Sequence, residues 1–397
     1  MAKALENLRV LDFTRFYAGP FGTMVLQDLG AEIIKVEIPE SGDATRSVPP
    51  FTKGGEGYIF INLNRGKKSI TLNLGSERGR KIARELVLNT DIVVENFGAG
   101  VMDRHGLSYE ELSKINPSLI YASLSGFGHT GPYSSRAAYD IVAQAMGGLM
   151  SVTGSPDNPP TKAGPAIADF FGGLYTAISI LAALRYKEKT GEGQMIDISL
   201  QDCIWDITAI EHAPPYFLNG NIPQRYGNGL FNVTLLASHP TTEGPVVICI
   251  VTVGQWEDFI KVIGRADLIG VPKYATQNDR INYRDEIDAL VSEWTRARTT
   301  TDAVNELNNA GLPCSPIPTF EEVANDPHLL SRQMIIEVEQ LVSGRLKVPG
   351  SVFKLSKTAG DASSPAPFLG QHNYEVYSNV LGYSQQEIAK LAHESII

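Results

Sequence analysis

Leu8-Arg9-Val10-Leu11-Asp12-Phe13 is the first regular pattern in the chain, and Ala18-Gly19-Pro20 follows it after a short gap. The first segment is a short, mostly apolar run and reads as a buried strand. Proline suits the first turn of a helix, where its missing N–H leaves no bond unmade. The pattern predicts a helix to Gly30 and a second strand over Ala31-Glu32-Ile33-Ile34-Lys35-Val36-Glu37. The result is a β-α-β unit with an acid closing its second strand, the layout of nucleotide-binding α/β folds. Its first turn, Ala18-Gly19-Pro20-Phe21-Gly22, lacks the full glycine fingerprint, so a dinucleotide does not follow from it.

The alternation continues outward from this unit. Strands are expected over Ser69–Leu74, Asp91–Phe97, Ser118–Ser123 and Met195–Leu200, and amphipathic helices over Ser76–Asn89 and Ser108–Asn116. Strand and helix in turn give a parallel sheet with helices on its faces. The basic stretch Asn64-Arg65-Gly66-Lys67-Lys68 reads as a solvated loop, or as a landing site for phosphates in an acidic protein. Gly126-Phe127-Gly128-His129-Thr130-Gly131 matches G-x-G-x-x-G in letters. That motif needs a helix to begin at once. Here Pro132-Tyr133-Ser134-Ser135 continues the loop, and a helix over Tyr139–Met150 starts later.

Residues 212–230 are rich in Pro, Asn, Gly and aromatics and read as a linker. The expected fold is therefore α/β: a Rossmann-like large domain with a parallel sheet, and a smaller α/β domain. Residues 1–211 form the N-terminal part of the large domain and 231–318 the small one. Residues 319–397 are the return linker and the C-terminal part of the large domain, with strands around Ile335–Val338 and Val352–Leu355. A chain of 397 residues exceeds the size at which single cores stop growing.

With 34 basic and 44 acidic residues the net charge is −10. That argues against a nucleic-acid partner, which needs a basic face. Cys203, Cys249 and Cys314 are odd in number and far apart, suggesting neither a disulfide framework nor a metal site. The N-terminus lacks the apolar core of a signal peptide. The apolar run Phe170–Leu184 falls short of the ~20 residues a membrane span needs. The expectation is a cytoplasmic, reduced protein with no membrane partner.

No P-loop, G-x-S-x-G or H-E-x-x-H occurs, and the seven histidines never fall at metal-ligand spacing. The candidate chemistry centres on Asp169, in Gly164-Pro165-Ala166-Ile167-Ala168-Asp169-Phe170-Phe171-Gly172-Gly173. An acid ahead of an apolar helix is a preferred N-cap. The helix N-terminus would also keep it ionised, and the two glycines would admit a ligand or another backbone. Tyr139 and Asp140 are its expected polar neighbours, and His129 is the one histidine that stands in the glycine loop. A carboxylate so placed can be a general base, a metal ligand or a nucleophile.

Read in order, the segments resemble the class III (CaiB/BaiF-type) CoA-transferase family over nearly the whole chain. The resemblance is carried by Leu11-Asp12-Phe13-Thr14 with Ala18-Gly19-Pro20, Leu29-Gly30-Ala31 with Ile34-Lys35-Val36-Glu37, and Val94-Glu95-Asn96-Phe97. It extends through Gly126-Phe127-Gly128 with Gly131-Pro132-Tyr133, Thr190-Gly191 with Gly193-Gln194, Gly311-Leu312-Pro313-Cys314 and Asp326-Pro327-His328. It implies that Asp169 is the nucleophile, carrying an aspartyl-CoA thioester. It also implies CoA contacts at Leu72, Asn96, Phe97, Val101 and Arg104, with Arg136 a phosphate or pantetheine partner. Tyr17, Tyr139 and Asp140 would face the substrate. No metal and no permanently bound cofactor are implied, only CoA thioesters as substrates. The family fold is an interlocked dimer, and some members pair two different family subunits.

Formyl-CoA transferases carry glutamine where this chain has Tyr17, arginine where it has Ile38, and a tetraglycine loop it lacks. The resemblance therefore implies an acceptor acid bulkier than oxalate, aromatic acids among the candidates, against Phe16 and Tyr17. Two other readings share the residues. The α-methylacyl-CoA racemases of the same fold use a His-Asp pair where this chain has Tyr139-Asp140, so one proton-transfer partner is missing. A non-catalytic acyl-CoA-binding subunit of a heteromeric transferase is the other, and the retained Asp169 speaks against it.

Overall fold

The computed structural model describes residues 3–397, which divide into two units. The first comprises 3–148, 163–210 and 327–397, and the second 149–162 and 211–326.

The first unit is built on six strands: β1 (Arg9–Asp12), β2 (Glu32–Glu37), β3 (Lys68–Thr71), β4 (Ile92–Glu95), β5 (Ile120–Ser125) and β6 (Gln194–Ser199). Their order is β3-β2-β1-β4-β5-β6 and every pairing is parallel. Successive strand residues point to opposite faces, so each face needs its own cover. Leu11, Ile34, Ile70, Val93 and Tyr121 share one core with Ile82 and Leu86 of the helix Glu77–Val87. Val376, Tyr377, Ile388 and Leu391 of the last two helices, Asn373–Leu381 and Gln385–His393, belong to that same core. Val10, Ile33, Ile92, Ile120 and Ile196 form the other core. There they meet Val25 and Leu26 of α1 (Ala18–Asp28) and Ala177, Ile180 and Leu184 of the helix Ile167–Thr190. Both ends of the chain thus build one sheet domain. A hairpin of β10 (Ile335–Gln340) and β11 (Gly344–Pro349) shares a small core with Phe60 and Ile61.

The second unit pairs β7 (Leu235–Pro240), β8 (Pro245–Ile250) and β9 (Cys314–Pro316) antiparallel. Trp256, Phe259, Val291, Trp294 and Leu307 from three helices fill its core.

Three expectations need correction. Residues 212–219 are not linker: a helix runs from Leu200 to Asn219 through Pro214 and Pro215. The second strand of the tail is β11, ahead of the expected 352–355 segment. The helix holding Asp169 spans 24 residues, long and apolar enough to cross a membrane by composition. Its inner face lies in the second sheet core instead.

Tyr377 joins the C-terminus to the sheet: it is fully buried, and its hydroxyl donates to the Thr71 carbonyl at 2.7 Å. Tyr377→Phe should cost about 1 kcal/mol, the net worth of one hydrogen bond. Tyr377→Ala should cost about 3–5 kcal/mol. Urea unfolding checks both.

Candidate active site

The sheet order reverses at β1 and β4, and the loops leaving their C-terminal ends diverge there to leave a crevice. The loop after β1, Thr14–Tyr17, is held at nearly every residue. Asp12 Oδ1 accepts from Thr14 N at 2.9 Å, and the Thr14 carbonyl accepts from Lys35 Nζ at 2.8 Å. The Arg15 backbone exchanges two 2.8 Å bonds with the Asn96 side chain.

Beneath this loop lies a set of buried charges. Lys67 Nζ reaches Asp12 Oδ2 at 3.1 Å, Lys35 Nζ reaches Asp43 Oδ2 at 2.9 Å, and all four side chains are fully buried. Burial pushes the Asp12 carboxyl up, but Lys67, Lys35 and the hydroxyls of Thr14 and Thr23 outweigh it and hold it below the usual carboxylate range. Burial pulls the Lys67 ammonium down to about 8. The basic stretch 64–68 is therefore neither a solvated loop nor a phosphate landing site. Arg65 is buried on Asp28 at 2.8 Å, Lys67 on Asp12, and Lys68 binds Glu32 and Glu375. Each cation is consumed by an acid that folding brings to it. Glu37, the acid at the end of the second strand, is likewise spent on Arg46, Ser69 and the Asp43 amide.

Asp169 sits in the first turn of the helix Ile167–Thr190, so it is not the N-cap. Ala166 holds that place without a side-chain bond. The capping acceptor comes from elsewhere: Asp140 Oδ1 takes the Ala168 N–H at 2.9 Å, while its Oδ2 takes Gln144 Nε2 at 2.7 Å. This leaves Asp169 half-buried, and among the described residues its carboxyl accepts no hydrogen bond. Burial, and then the nearby Asp140 charge, push its carboxyl up to about 7. The helix N-terminus does not keep it fully ionised, because desolvation and a like charge prevail. Tyr17 stands close by: its hydroxyl is raised by burial and further by the Asp169 charge.

Glycines make this closeness possible. A Cβ on Gly173 would lie 2.6 Å from the Ala18 carbonyl, and one on Gly22 would lie 2.8 Å from the Gly173 carbonyl. Of the two glycines after Asp169, Gly173 admits the backbone of α1, while Gly172 makes room for the Leu200 and Leu124 side chains. Phe21 and Phe170 pack edge-on beside this contact, their centroids 4.9 Å apart.

Leu72, Phe97 and Val101 line one cavity of about 260 Å³ beside the β1–β4 crevice, together with Phe13, Arg15 and His105. Ile38 and Glu37 line it too. The Arg15 guanidinium lies 4.9 Å from the Phe97 ring centroid. Arg104 is exposed on the short helix Val101–Arg104 next to His105, whose imidazole is held low by burial and by Arg80, Arg104 and Arg15. The structure does not bring Asn96 or Arg136 to the lining of this cavity: Asn96 binds the Arg15 backbone, and Arg136 stacks on Tyr133 at 4.0 Å. Arg15 and His105 are cavity residues that sequence reasoning missed. Their one legible signal is position, in the loop after β1 and just past a short helix following β4. Tyr139 is exposed and meets the Phe16 ring edge-on at 5.9 Å. His129 is bonded to Ser123 at 2.7 Å and its amide to Asp197, and no helix begins before Asp140. Among the described residues no group of His, Cys, Asp and Glu forms a metal site.

The raised carboxyl has a stability consequence with a definite sign. Between about pH 4 and 7 the unfolded chain releases the Asp169 proton while the folded chain retains it. Ionisation then opposes folding progressively, and in full above about pH 7. Asp169→Asn should therefore melt at a higher temperature than wild type at pH 8, with the gap closing by pH 4. Thermal scans across that range check it.

Residues 5–373 match the model of CoA-transferase family III. The chain is 36% identical over 400 residues to succinyl-CoA–D-citramalate CoA-transferase of Chloroflexus aurantiacus, covering 100% of this chain and 98% of that one. It is also 36% identical over 412 residues to formyl-CoA:oxalate CoA-transferase of Streptomyces avermitilis, with 100% of both chains covered. The crystal structure of a CaiB/BaiF family protein from Brucella suis superposes with a TM-score of 0.84 at 37% identity, covering 96% of this chain and 100% of that one. The parallel sheet and the full-length match agree, and the chain belongs to CoA-transferase family III.

Proposed function

We propose that this CoA-transferase moves CoA from a donor such as succinyl-CoA to an acceptor carboxylic acid bulkier than oxalate, through an aspartyl-CoA thioester at Asp169. The observation that carries the reading is the Asp169 carboxyl itself, half-buried, without a hydrogen bond among the described residues, and pushed up to about 7 by burial and the Asp140 charge. A more basic carboxylate is a better nucleophile once ionised, and at neutral pH about half of it is. Asp169 attacks the donor thioester carbonyl, expelling CoA thiolate and leaving a mixed anhydride. The thiolate attacks the aspartyl carbonyl of that anhydride, releasing the donor acid and forming the aspartyl-CoA thioester. The acceptor carboxylate then attacks the aspartyl thioester, expelling CoA thiolate and forming a second mixed anhydride. The thiolate attacks the acceptor's carbonyl, giving the product thioester and freeing the Asp169 carboxylate. Thioester energy is conserved throughout, provided water is kept out. The glycine-rich loop 126–131 suits such a cover.

CoA would lie in the cavity of Leu72, Phe97 and Val101, with the exposed Arg104 available to its phosphates. Asp140 would hold Asp169 basic, and Tyr17 and Tyr139 would face the acyl groups. Tyr17 beside Asp169, and Ile38 in the cavity lining, stand where formyl-CoA transferases carry glutamine and arginine. That supports an acceptor other than oxalate, as the citramalate enzyme named above also takes. Exposed Ile178, Leu181 and Ile210 of the first unit offer apolar surface for a second family subunit, identical or related. The same reading takes the protein as cytoplasmic.

The test is CoA transfer from succinyl-CoA to a panel of carboxylic acids. Glutarate-sized or aromatic acids should outcompete oxalate, whereas preferred transfer from formyl-CoA to oxalate would overturn the acceptor assignment. The rate at limiting substrate should rise with pH through about 7 and level off above it, as the Asp169 carboxyl ionises. Asp140→Asn, which removes the neighbouring charge, should move that midpoint down. A flat profile between pH 5 and 9 contradicts the role given to Asp169.

A further inference from the structure

The loop Thr14–Tyr17 is held more tightly than a connection of four residues requires. Phe16 has φ +63°, a conformation that bulky side chains rarely adopt. Such a residue persists only when its surroundings impose it. Here they do so at both flanks. Lys35 Nζ bonds the Thr14 carbonyl, and the Phe16 N–H lies 3.5 Å from Asp43 Oδ1. Between these two points Asn96 pairs with the Arg15 backbone as a strand neighbour would, accepting from its N–H and donating to its carbonyl. The loop's far end delivers two aromatics to the reacting region. Phe16 meets Tyr139 edge-on, and Tyr139 precedes the Asp140 that caps the Asp169 helix. Tyr17 is close enough to Asp169 to have its hydroxyl perturbed by it.

Asn96 is the one non-ionic clamp among these, and it reaches across from β4 to the β1 loop, at the reversal of the sheet order. Both hydrogen-bonding ends of its amide are occupied by Arg15, and it does not line the cavity of Leu72, Phe97 and Val101. We infer that Asn96 is a positioning residue for the transfer reaction: its side chain acts through the Thr14–Tyr17 loop, holding Tyr17 at Asp169, and not as a ligand of CoA. This rests on the reading of Asp169 as the reacting group.

A double-mutant cycle on the full chain decides it, using Asn96→Ala, Tyr17→Ala and the double variant, with succinyl-CoA as donor and the best acceptor of the panel. Asn96→Ala should lower kcat about tenfold while the dissociation constant for CoA changes less than twofold. In the Tyr17→Ala background the same substitution should cost less than twofold, because the loop no longer carries the group it positions. Asn96→Asp keeps the acceptor for the Arg15 N–H and loses the donor, and should fall between. Additive losses in kcat, or a loss confined to CoA affinity, would overturn the inference. Failure of wild type to transfer CoA at all would instead sink the underlying assignment of Asp169, so the two failures are distinguishable.

Discussion

A carboxyl group kept half out of water, with no hydrogen-bond donor for it among the described residues, is the constraint from which the rest of the site follows. Left to itself such a group would turn to solvent or find a hydrogen bond, since burying it unpaired costs free energy. Asp169 stays half-buried and finds no such bond among the described residues, because its helix is fixed from both sides. Asp140 has already taken the cap position on the Ala168 amide. The backbone of α1 lies so close to Gly173 that no Cβ fits there. The acid is thereby held between a like charge and the first turns of two helices, and its basicity rises to about 7. Raised basicity costs stability above that pH and gives a carboxylate with more nucleophilic strength than one in water.

The layer below is electrostatic. Lys35, Lys67, Asp12, Asp43 and Glu37 are all buried, in β1 and β2, in the segment after β2 and just before β3. Buried ion pairs contribute little net stability against apolar replacements of equal volume. Their effect here is directional. Lys67 Nζ bonds Asp12, Thr23, Asn64 and the Pro20 carbonyl, and Lys35 Nζ bonds Asp43 and the Thr14 carbonyl. The start of α1 and the loop before it are thus tied to the sheet by bonds that fix angles as well as distances, which an apolar core would not supply.

Much of the sheet was legible in the sequence because its strands alternate between two buried faces and its helices carry an apolar stripe. Leu11, Ile34 and Val93 on one face and Val10, Ile33 and Val94 on the other follow from the period alone. Asp169 stood out because an acid bordering a long apolar run is uncommon. What escaped were contacts between distant segments. The acid that caps the Asp169 helix lies 28 residues away from the amide it takes, so local pattern assigned the cap to Asp169 itself. Arg65 and Lys67 read as surface because charge usually is surface, and only folding reveals Asp28 and Asp12 as their partners. The side-chain bond of Asn96 to a backbone 81 residues earlier has no local signal at all. The helix through Pro214 and Pro215 defeated composition, which took those prolines for a linker.

The central claim, that the Asp169 carboxyl carries CoA, is tested most directly by intact-protein and peptide mass spectrometry after incubation with succinyl-CoA. Wild type and Asp169→Ala should be compared, with and without hydroxylamine. The account predicts a CoA-sized adduct on the peptide containing Asp169, lost on hydroxylamine treatment and absent from the variant. A wild-type protein that binds CoA yet forms no adduct with succinyl-CoA or any other acyl-CoA donor, or an adduct that persists in Asp169→Ala, would contradict it.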